Sequence, residues 1–385
     1  MLTVETPPLV AEARPSTDVK TKQLPDHILA LDGLRGLAIS LVLVTHCENG
    51  LKWNQYSDVI VKALNKVVRF STCGVDLFFV LSGFLITGIL LRSKGSKHYF
   101  QNFYARRALR IFPLYYGVLL VILCATTFFG EPPKSMMGTA SDRWWLWGYG
   151  TNILMTLRNN WTYTSLNHFW SLAVEEHFYL VWPFLVFACR SRPLIALCLA
   201  SVPASLLIRA GFVYLLHNEI GAYVLTCCRV DALLVGCFIA IVAHIASLEN
   251  LRSYAKAIIC TVGLIIPVFI CAVPHASATD RIFGPTLFAL FFGGLLVSTL
   301  LSASLKRTFE NRLLRELGKY SYGIYVYHFL IIAGLERCWN WAALPPVPNY
   351  FAFLAVASSL SMAVAWVSYQ CYEVHFLRLK RLFAN

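Results

Sequence analysis

Ionisable residues inside apolar runs are the first candidates for chemistry, because charge at membrane depth is costly. The segment LDGLRGLAISLVLVTHCENG contains Arg35 and His46, eleven residues apart. On a helix this spacing is close to three turns, so the two side chains lie on one face, about 16 Å apart along the axis. A histidine can act as a general base near neutral pH. The alternative is a core histidine hydrogen-bonded to a neighbouring helix.

Two adjacent carboxylates are the second candidate. The segment HFWSLAVEEHFYLVWPF contains Glu175 and Glu176, with Ser171 one turn before Glu175 on the same face and His168 one turn further out. A carboxylate can hold a histidine in the tautomer that base catalysis needs and stabilise the imidazolium that forms. We therefore expect one of these two carboxylates to support His46.

An arginine cluster, FYARRALRIFP, precedes the third apolar run in a predicted cytoplasmic loop. Arg107 and Arg110 lie three residues apart on one face, beside Arg106. Guanidinium groups match phosphate oxygens in bidentate geometry, which predicts a site for a phosphate-bearing ligand at the inner mouth. The alternative is the ordinary basic flank of a membrane span.

Arg229 and Asp231 of CRVDALLVGCF are predicted to form a structural or site-orienting pair near the outer end of their helix. Arg229, like Arg209, is also an alternative ion-pair partner for the acidic pair. These two arginines therefore leave open a purely structural role for the carboxylates.

Two further segments carry weaker signals. Tyr322, Tyr325 and His328 of GKYSYGIYVYHF are predicted near the inner end of a span, where they could line a tunnel or belong to an aromatic belt. Ser82 and Gly83 of GVDLFFVLSGFLITG are predicted to serve close helix packing.

Together these residues place a base and a carboxylate in the outer half of a membrane and arginines at its cytoplasmic mouth. This arrangement suits an enzyme that takes a phosphorylated donor from inside and acts on an acceptor near the outer face. The alternative from another class is a transporter or flippase for a glycolipid or small molecule, with the buried charges as a proton relay. No internal repeat is visible, which weakens that alternative.

The elements that position these residues must be membrane helices. Hydrophobic residues make up 57% of the 385 residues and charged residues only 14%, against about 25% charged in a globular domain. The composition, with a mean hydropathy of +0.60, excludes a soluble enzyme and predicts an all-α polytopic integral membrane protein. The net charge of +13 is attributed to cytoplasmic loops and anionic lipid rather than to nucleic acid. The twelve cysteines show no metal-ligand spacing, so no metal site is predicted.

Ten apolar runs are long enough to cross about 30 Å of hydrocarbon. The run 144–157 is short and aromatic, and we interpret it as interfacial or re-entrant. Lys and Arg are concentrated between spans in a pattern that favours both termini in the cytoplasm. Residues 1–27 are predicted to be a disordered cytoplasmic tail and residues 378–385 a short cytoplasmic tail. The predicted spans are 33–51, 73–91, 111–130, 168–189, 193–215, 224–247, 255–273, 283–302, 320–335 and 350–371.

Six motifs in order resemble the acyltransferase family 3 over about residues 28–335. They are DGLRG with a downstream histidine, GVDLFFVLSGFLIT, RRALRIFP, FWSLAVEEHFYLVWP, RVDALLVG and GKYSYGIYVYHF. The family comprises membrane O-acyltransferases of carbohydrates, antibiotics and lipids. The resemblance implies about ten transmembrane helices, an acyl-CoA donor, most often acetyl-CoA, and transfer to a hydroxyl. It makes residues 28–377 a membrane acyltransferase domain, which we expect to be a stand-alone version.

The resemblance implies catalytic roles for His46 and for Glu175 or Glu176, of which Glu175 is favoured because it shares a face with Ser171. We prefer His46 as a general base over a transient acyl carrier, because direct transfer needs only one positioned proton acceptor. The residues predicted to bind donor or substrate are Arg35, Arg107, Arg110, Ser171, Arg229, Tyr325 and His328.

No cofactor is expected to be bound permanently, and acyl-CoA is expected as a co-substrate. The expected acceptor is a carbohydrate, a macrolide-like metabolite or a lipid-linked molecule. The expected location is the bacterial inner membrane, with the lipid bilayer as the other partner and no nucleic acid.

Overall fold

The computed structural model describes residues 27–48, 58–129, 137–341 and 343–383. Within these ranges the secondary structure is helical, with no strand. All but one residue of the predicted tail 1–27, and residues 384–385, lie outside them. The α-helices are α1 (Leu29–His46), α2 (Val59–Phe70), α3 (Gly74–Ser93), α4 (Tyr99–Phe129), α5 (Arg143–Trp147), α6 (Thr151–Arg158), α7 (Phe169–Ala188), α8 (Ser191–Ala210), α9 (Glu219–Val224), α10 (Thr226–Ile245), α11 (Arg252–Ala272), α12 (Ala278–Leu301), α13 (Ala303–Phe309), α14 (Arg312–Cys338), α15 (Pro346–Ser368) and α16 (Val374–Leu379).

Eight helical segments in the described part of the chain are long and apolar enough to cross a membrane. They contain α1, α3, α4, α8, α10, α11, α12 and α15. The other two predicted spans correspond to α7 and α14, which have 20 and 27 residues and carry polar residues of the candidate site. Apolar side chains such as Leu120 of α4 and Leu264 of α11 are exposed on the outside of the bundle, as a hydrocarbon solvent requires. The prediction of an all-α polytopic membrane protein is confirmed.

One predicted placement needs correction, and two other predicted segments are helical. Helix α4 begins at Tyr99, so the arginine cluster lies on a helix rather than in a loop, because its polar first three turns continue the apolar span without a break. The predicted tail from residue 378 is helical as far as Phe383. The run 144–157 is divided between α5 and α6, of five and eight residues, and neither is long enough to cross a membrane.

Glycines allow the central helices to approach closely. A Cβ on Gly36 of α1 would collide with the backbone of Leu314 in the first turn of α14. A Cβ on Gly318 of α14 would collide with the backbone of Asp32 of α1. Gly83 of α3 meets the backbone of Leu233 of α10 in the same way, which confirms its predicted packing role. Small residues let helix backbones touch in a membrane, where van der Waals contact rather than hydrophobicity drives association.

Two ion pairs are buried between these helices. Arg229 donates to Asp76 at 2.6 Å, and Arg209 donates to Asp231 at 3.0 Å. All four side chains are at most 4% exposed. The predicted pair of Arg229 with Asp231 is therefore wrong, because residues two apart on a helix do not face each other. Each arginine instead finds its aspartate on a neighbouring helix.

Candidate active site

Five charged residues that the sequence singled out line one cavity, which we call the arginine cavity. It is formed by α1, α3, α4, α7 and α14 and encloses about 770 Å³, part of it open to solvent. The charged lining residues are Arg35, Arg107, Arg110, Glu175 and Glu176.

Two of the three arginines of this cavity contact neighbouring side chains. Arg35 donates to Asp32 one turn earlier on α1 at 3.0 Å, and the guanidinium of Arg107 lies 5.6 Å from the centre of the Tyr179 ring. Arg110 lines the same cavity. Three guanidinium groups around one cavity form a site for a polyanion, since each can offer two parallel N–H donors to phosphate oxygens.

The acidic pair of α7 faces this cavity. Glu175 accepts a hydrogen bond from Ser82 at 2.6 Å, and Ser82 in turn accepts one from Tyr179 at 3.3 Å. A buried carboxylate oxygen of Glu176 has no hydrogen-bond partner among the described residues. The alternative of a structural ion pair with the arginines of α8 and α10 is wrong, because both of those arginines pair with aspartates.

Lys380 belongs to the same basic region, although it was not among the predicted site residues. The short helix Lys380–Phe383 packs on α4, and Tyr372 donates to the Pro113 carbonyl of α4 at 3.1 Å. The Lys380 ammonium lies close enough to Arg107 and Arg110 to interact with them electrostatically. In the sequence Lys380 is one of several basic residues in a terminal segment, so only the folded chain distinguishes it.

His46 lines a second cavity, which we call the histidine cavity and which encloses about 1210 Å³, part of it open to solvent. Its lining is rich in aromatic rings, among them Trp161, Trp170 and Tyr223, and it includes Arg281, whose guanidinium lies 4.5 Å from the centre of the Tyr223 ring. Aromatic faces with a few polar groups are typical of a site for a small organic ligand.

Three histidines meet at the wall of the histidine cavity. Nε2 of His328 lies 3.0 Å from Nδ1 of His46, and Nδ1 of His328 lies 2.6 Å from the carbonyl oxygen of Tyr325. The ring of His168 packs with its centre 4.9 Å from that of His328. His328 and Tyr325 thus lie level with the end of α1 at His46, and their predicted place near the inner end of a span is wrong.

The expected hydrogen bond between Glu175 and His46 is not formed. His46 is hydrogen-bonded to His328, whereas Oε1 of Glu175 accepts a hydrogen bond from Ser82 in the arginine cavity. The reason is the helical rise: Glu175 is seven residues beyond His168, or about 10 Å along α7, and His168 is the residue of that segment at the level of His46.

Tyr325 and Val75 line both cavities. The Tyr325 hydroxyl is hydrogen-bonded to Ser171 and donates to the carbonyl oxygen of His168 at 3.0 Å. Ser171 lines the arginine cavity and His168 the histidine cavity. The phenol of Tyr325 therefore stands at the junction of the two.

Arg229, predicted to bind a ligand, lines neither cavity and is 1% exposed. Its guanidinium lies 5.7 Å from the ring centre of Phe79, 5.5 Å from that of Trp170 and 5.1 Å from that of Tyr223. Phe79 belongs to the arginine cavity and the other two rings to the histidine cavity. Arg229 therefore packs behind aromatic side chains of both cavities and helps to position these rings.

The acyltransferase 3 family, described as an acyltransferase domain, matches residues 28–370. The chain belongs to this family. The resemblance drawn from the six motifs is confirmed, and the match reaches further along the chain than those motifs do. Membership supports an acyltransferase rather than a transporter.

Two relatives illustrate the family. The chain is 29% identical over 332 residues to the peptidoglycan O-acetyltransferase OatA of Listeria monocytogenes, covering 81% of this chain and 50% of the relative. It is 25% identical over 377 residues to the O-acetyltransferase OatA of Staphylococcus aureus, covering 91% of this chain and 57% of the relative. The chain thus spans about half the length of these relatives. No solved structure gives a significant match.

Proposed function

We propose that the protein transfers an acetyl group from acetyl-CoA in the arginine cavity to a carbohydrate hydroxyl in the histidine cavity. The observation that carries the proposal is the junction at Tyr325 and Val75, where the polyanion site and the cavity of the candidate base share a wall. A thioester delivered through one cavity would meet a hydroxyl held in the other.

The donor is assigned to the arginine cavity because CoA carries several phosphates. Arg107 and Arg110 would bind phosphate oxygens, with the Lys380 side chain as a further hydrogen-bond donor beside them. Arg35 lies on the face of α1 that leads to His46 and would bind the donor further along. The excess of Lys and Arg near this mouth supports its placement on the cytoplasmic side, and in a bacterium the membrane would be the cytoplasmic one.

The acceptor is assigned to the histidine cavity. Trp161, Trp170 and Tyr223 offer flat apolar faces, and Asn167 and Arg281 offer hydrogen-bond donors beside them. A sugar ring fits such a lining, since it has C–H faces to pack on aromatic rings and hydroxyls at its edge. The named substrate of the Listeria relative is peptidoglycan, which supports a carbohydrate rather than a macrolide-like acceptor.

In the proposed reaction His46 acts as the general base. The acceptor hydroxyl gives its proton to the imidazole as its oxygen attacks the thioester carbonyl. The tetrahedral intermediate then expels the CoA thiolate by cleavage of the C–S bond, and the imidazolium returns the proton to that sulfur. Glu175 is hydrogen-bonded to Ser82 in the arginine cavity. It would therefore help to orient the residues that bind the donor, and it would not orient His46.

The test uses membrane vesicles with acetyl-labelled CoA thioester, followed by separation of glycans, lipids and small metabolites. Wild type should label one fraction, and His46→Ala should lose at least about 10²-fold of that activity while still binding acetyl-CoA. The control is His98→Ala, which removes an exposed histidine between α3 and α4 and should label as wild type does. Full activity in His46→Ala would refute the assignment of the base. Uptake of an acceptor with no covalent product would favour a transporter.

A further inference from the structure

His328 is completely buried, and both of its ring nitrogens are hydrogen-bonded. We propose that His328 is a positioning residue that fixes the tautomer of His46 and leaves Nε2 of His46 free to accept the proton of the acceptor hydroxyl. The inference rests on the proposed function, in which His46 is the base. It assigns the orienting role to a neutral histidine, where the sequence suggested a carboxylate.

The direction of each hydrogen bond follows from its partners. The carbonyl oxygen of Tyr325 can only accept, so Nδ1 of His328 must carry a hydrogen. A neutral imidazole carries one N–H, so Nε2 of His328 is an acceptor. The hydrogen between the two rings then belongs to Nδ1 of His46, and Nε2 of His46 keeps its lone pair.

Both rings must be neutral in the resting protein for this arrangement to hold. The rings that pack against the pair are those of His168, Tyr325 and Phe329, and none of them supplies a negative charge. A charged imidazolium at His328 would be buried without a carboxylate partner among the residues that the structure describes, which is costly. A charged His328 would also donate from Nε2 and place the single hydrogen of His46 on Nε2, where it would block the base.

The arrangement also suits the charged form of His46 during turnover. When Nε2 of His46 takes the hydroxyl proton, Nδ1 already donates to His328, so the ring need not turn. His328 in turn donates to the Tyr325 carbonyl at 2.6 Å. In this series of hydrogen bonds the negative end of each dipole points toward the imidazolium. The dipoles therefore stabilise its charge in a region of low dielectric.

The first test reads the tautomer directly and needs no turnover. Wild-type protein labelled with ¹⁵N-histidine is placed in lipid nanodiscs, and the ring signals of His46 are those absent from His46→Gln. We expect His46 and His328 both to carry hydrogen on Nδ1, the form that is less populated in free neutral histidine. Hydrogen on Nε2 of His46 would overturn the inference. If the protein transferred no acetyl group, the proposed function would fail while this measurement would still be decisive.

The second test uses a matched pair of substitutions. In His328→Gln the amide reaches the place of Nε2 and offers His46 an acceptor, whereas in His328→Asn it reaches only the place of Nδ1. We expect kcat within about tenfold of wild type for Gln and a loss of about 10²–10⁴-fold for Asn, the range of a general base. The KM for acetyl-CoA should not change, because His328 does not line the arginine cavity. Equal losses in the two variants, or a loss expressed in KM, would overturn the inference.

Discussion

The pair of Asp76 and Arg229 should be essential for stability, and Asp76→Asn tests it. The carboxylate lies 2.6 Å from a guanidinium that is 1% exposed and surrounded by three aromatic rings. Removing the negative charge leaves the Arg229 guanidinium buried without a counter-charge. Loss of one partner of a buried pair costs about 3–5 kcal/mol. The free energy of unfolding of Asp76→Asn should fall by this amount.

The assay is chemical unfolding in mixed micelles, with two further variants. Glu249→Gln removes one partner of an exposed pair with Arg252 and should change stability little, because solvent already screens that pair. The double variant Asp76→Leu with Arg229→Met replaces the buried pair by apolar side chains and should recover most of the loss, since such replacements are often neutral or stabilising. If Asp76→Asn unfolded at the same denaturant concentration as Glu249→Gln, the buried pair would contribute no more to stability than the exposed pair, which would contradict this prediction.

Three further predictions concern the donor site, the acceptor site and pH. Arg107→Gln should raise the KM for acetyl-CoA about 10- to 100-fold through loss of a charge-assisted hydrogen bond. Lys380→Gln should raise this KM by a smaller factor. In steady-state assays kcat should be unchanged in both variants. Trp161→Ala should raise the KM for the acceptor alone, and an equal rise for acetyl-CoA would contradict the two-cavity assignment. Burial raises the pKa of Asp142, but hydrogen bonds from Arg158 and from the loop outweigh this effect and hold the pKa below its usual value. Asp142 should therefore stabilise the fold above about pH 4, and its advantage over Asp142→Asn in thermal unfolding should vanish as pH falls through the lowered pKa.

The ten predicted spans each fall on a helix of the structure, and most of their ends differ by a few residues. Apolarity and length are properties of a contiguous segment, so the sequence carries them directly. The face of α7 that contains Ser171 and Glu175 was predictable for the same reason, because residues four apart on a helix share a face. Helix α2 was not predicted, since its sequence is amphipathic and too polar to resemble a span.

The pairing of the polar residues was predicted poorly. His46 was expected to bind Glu175 and instead binds His328, 282 residues away in the chain. Arg229 was expected to pair with Asp231 and instead pairs with Asp76 of another helix. The partner of a polar side chain depends on the relative depth and rotation of the two helices in contact. Neither quantity can be predicted from the sequence of one helix alone.

The order of residues along the chain is enough to identify a helical membrane protein of the acyltransferase 3 family. It also shows which residue types are available for chemistry: a histidine, two carboxylates and a set of arginines inside or beside apolar runs. Only the tertiary structure divided those residues between two cavities, placed Tyr325 at their junction and brought Lys380 to the arginines. The physical reason is that helix formation depends on neighbours along the chain. The position of one side chain against another depends on glycine contacts such as Gly36 with the backbone of Leu314, which exist only once the helices have packed.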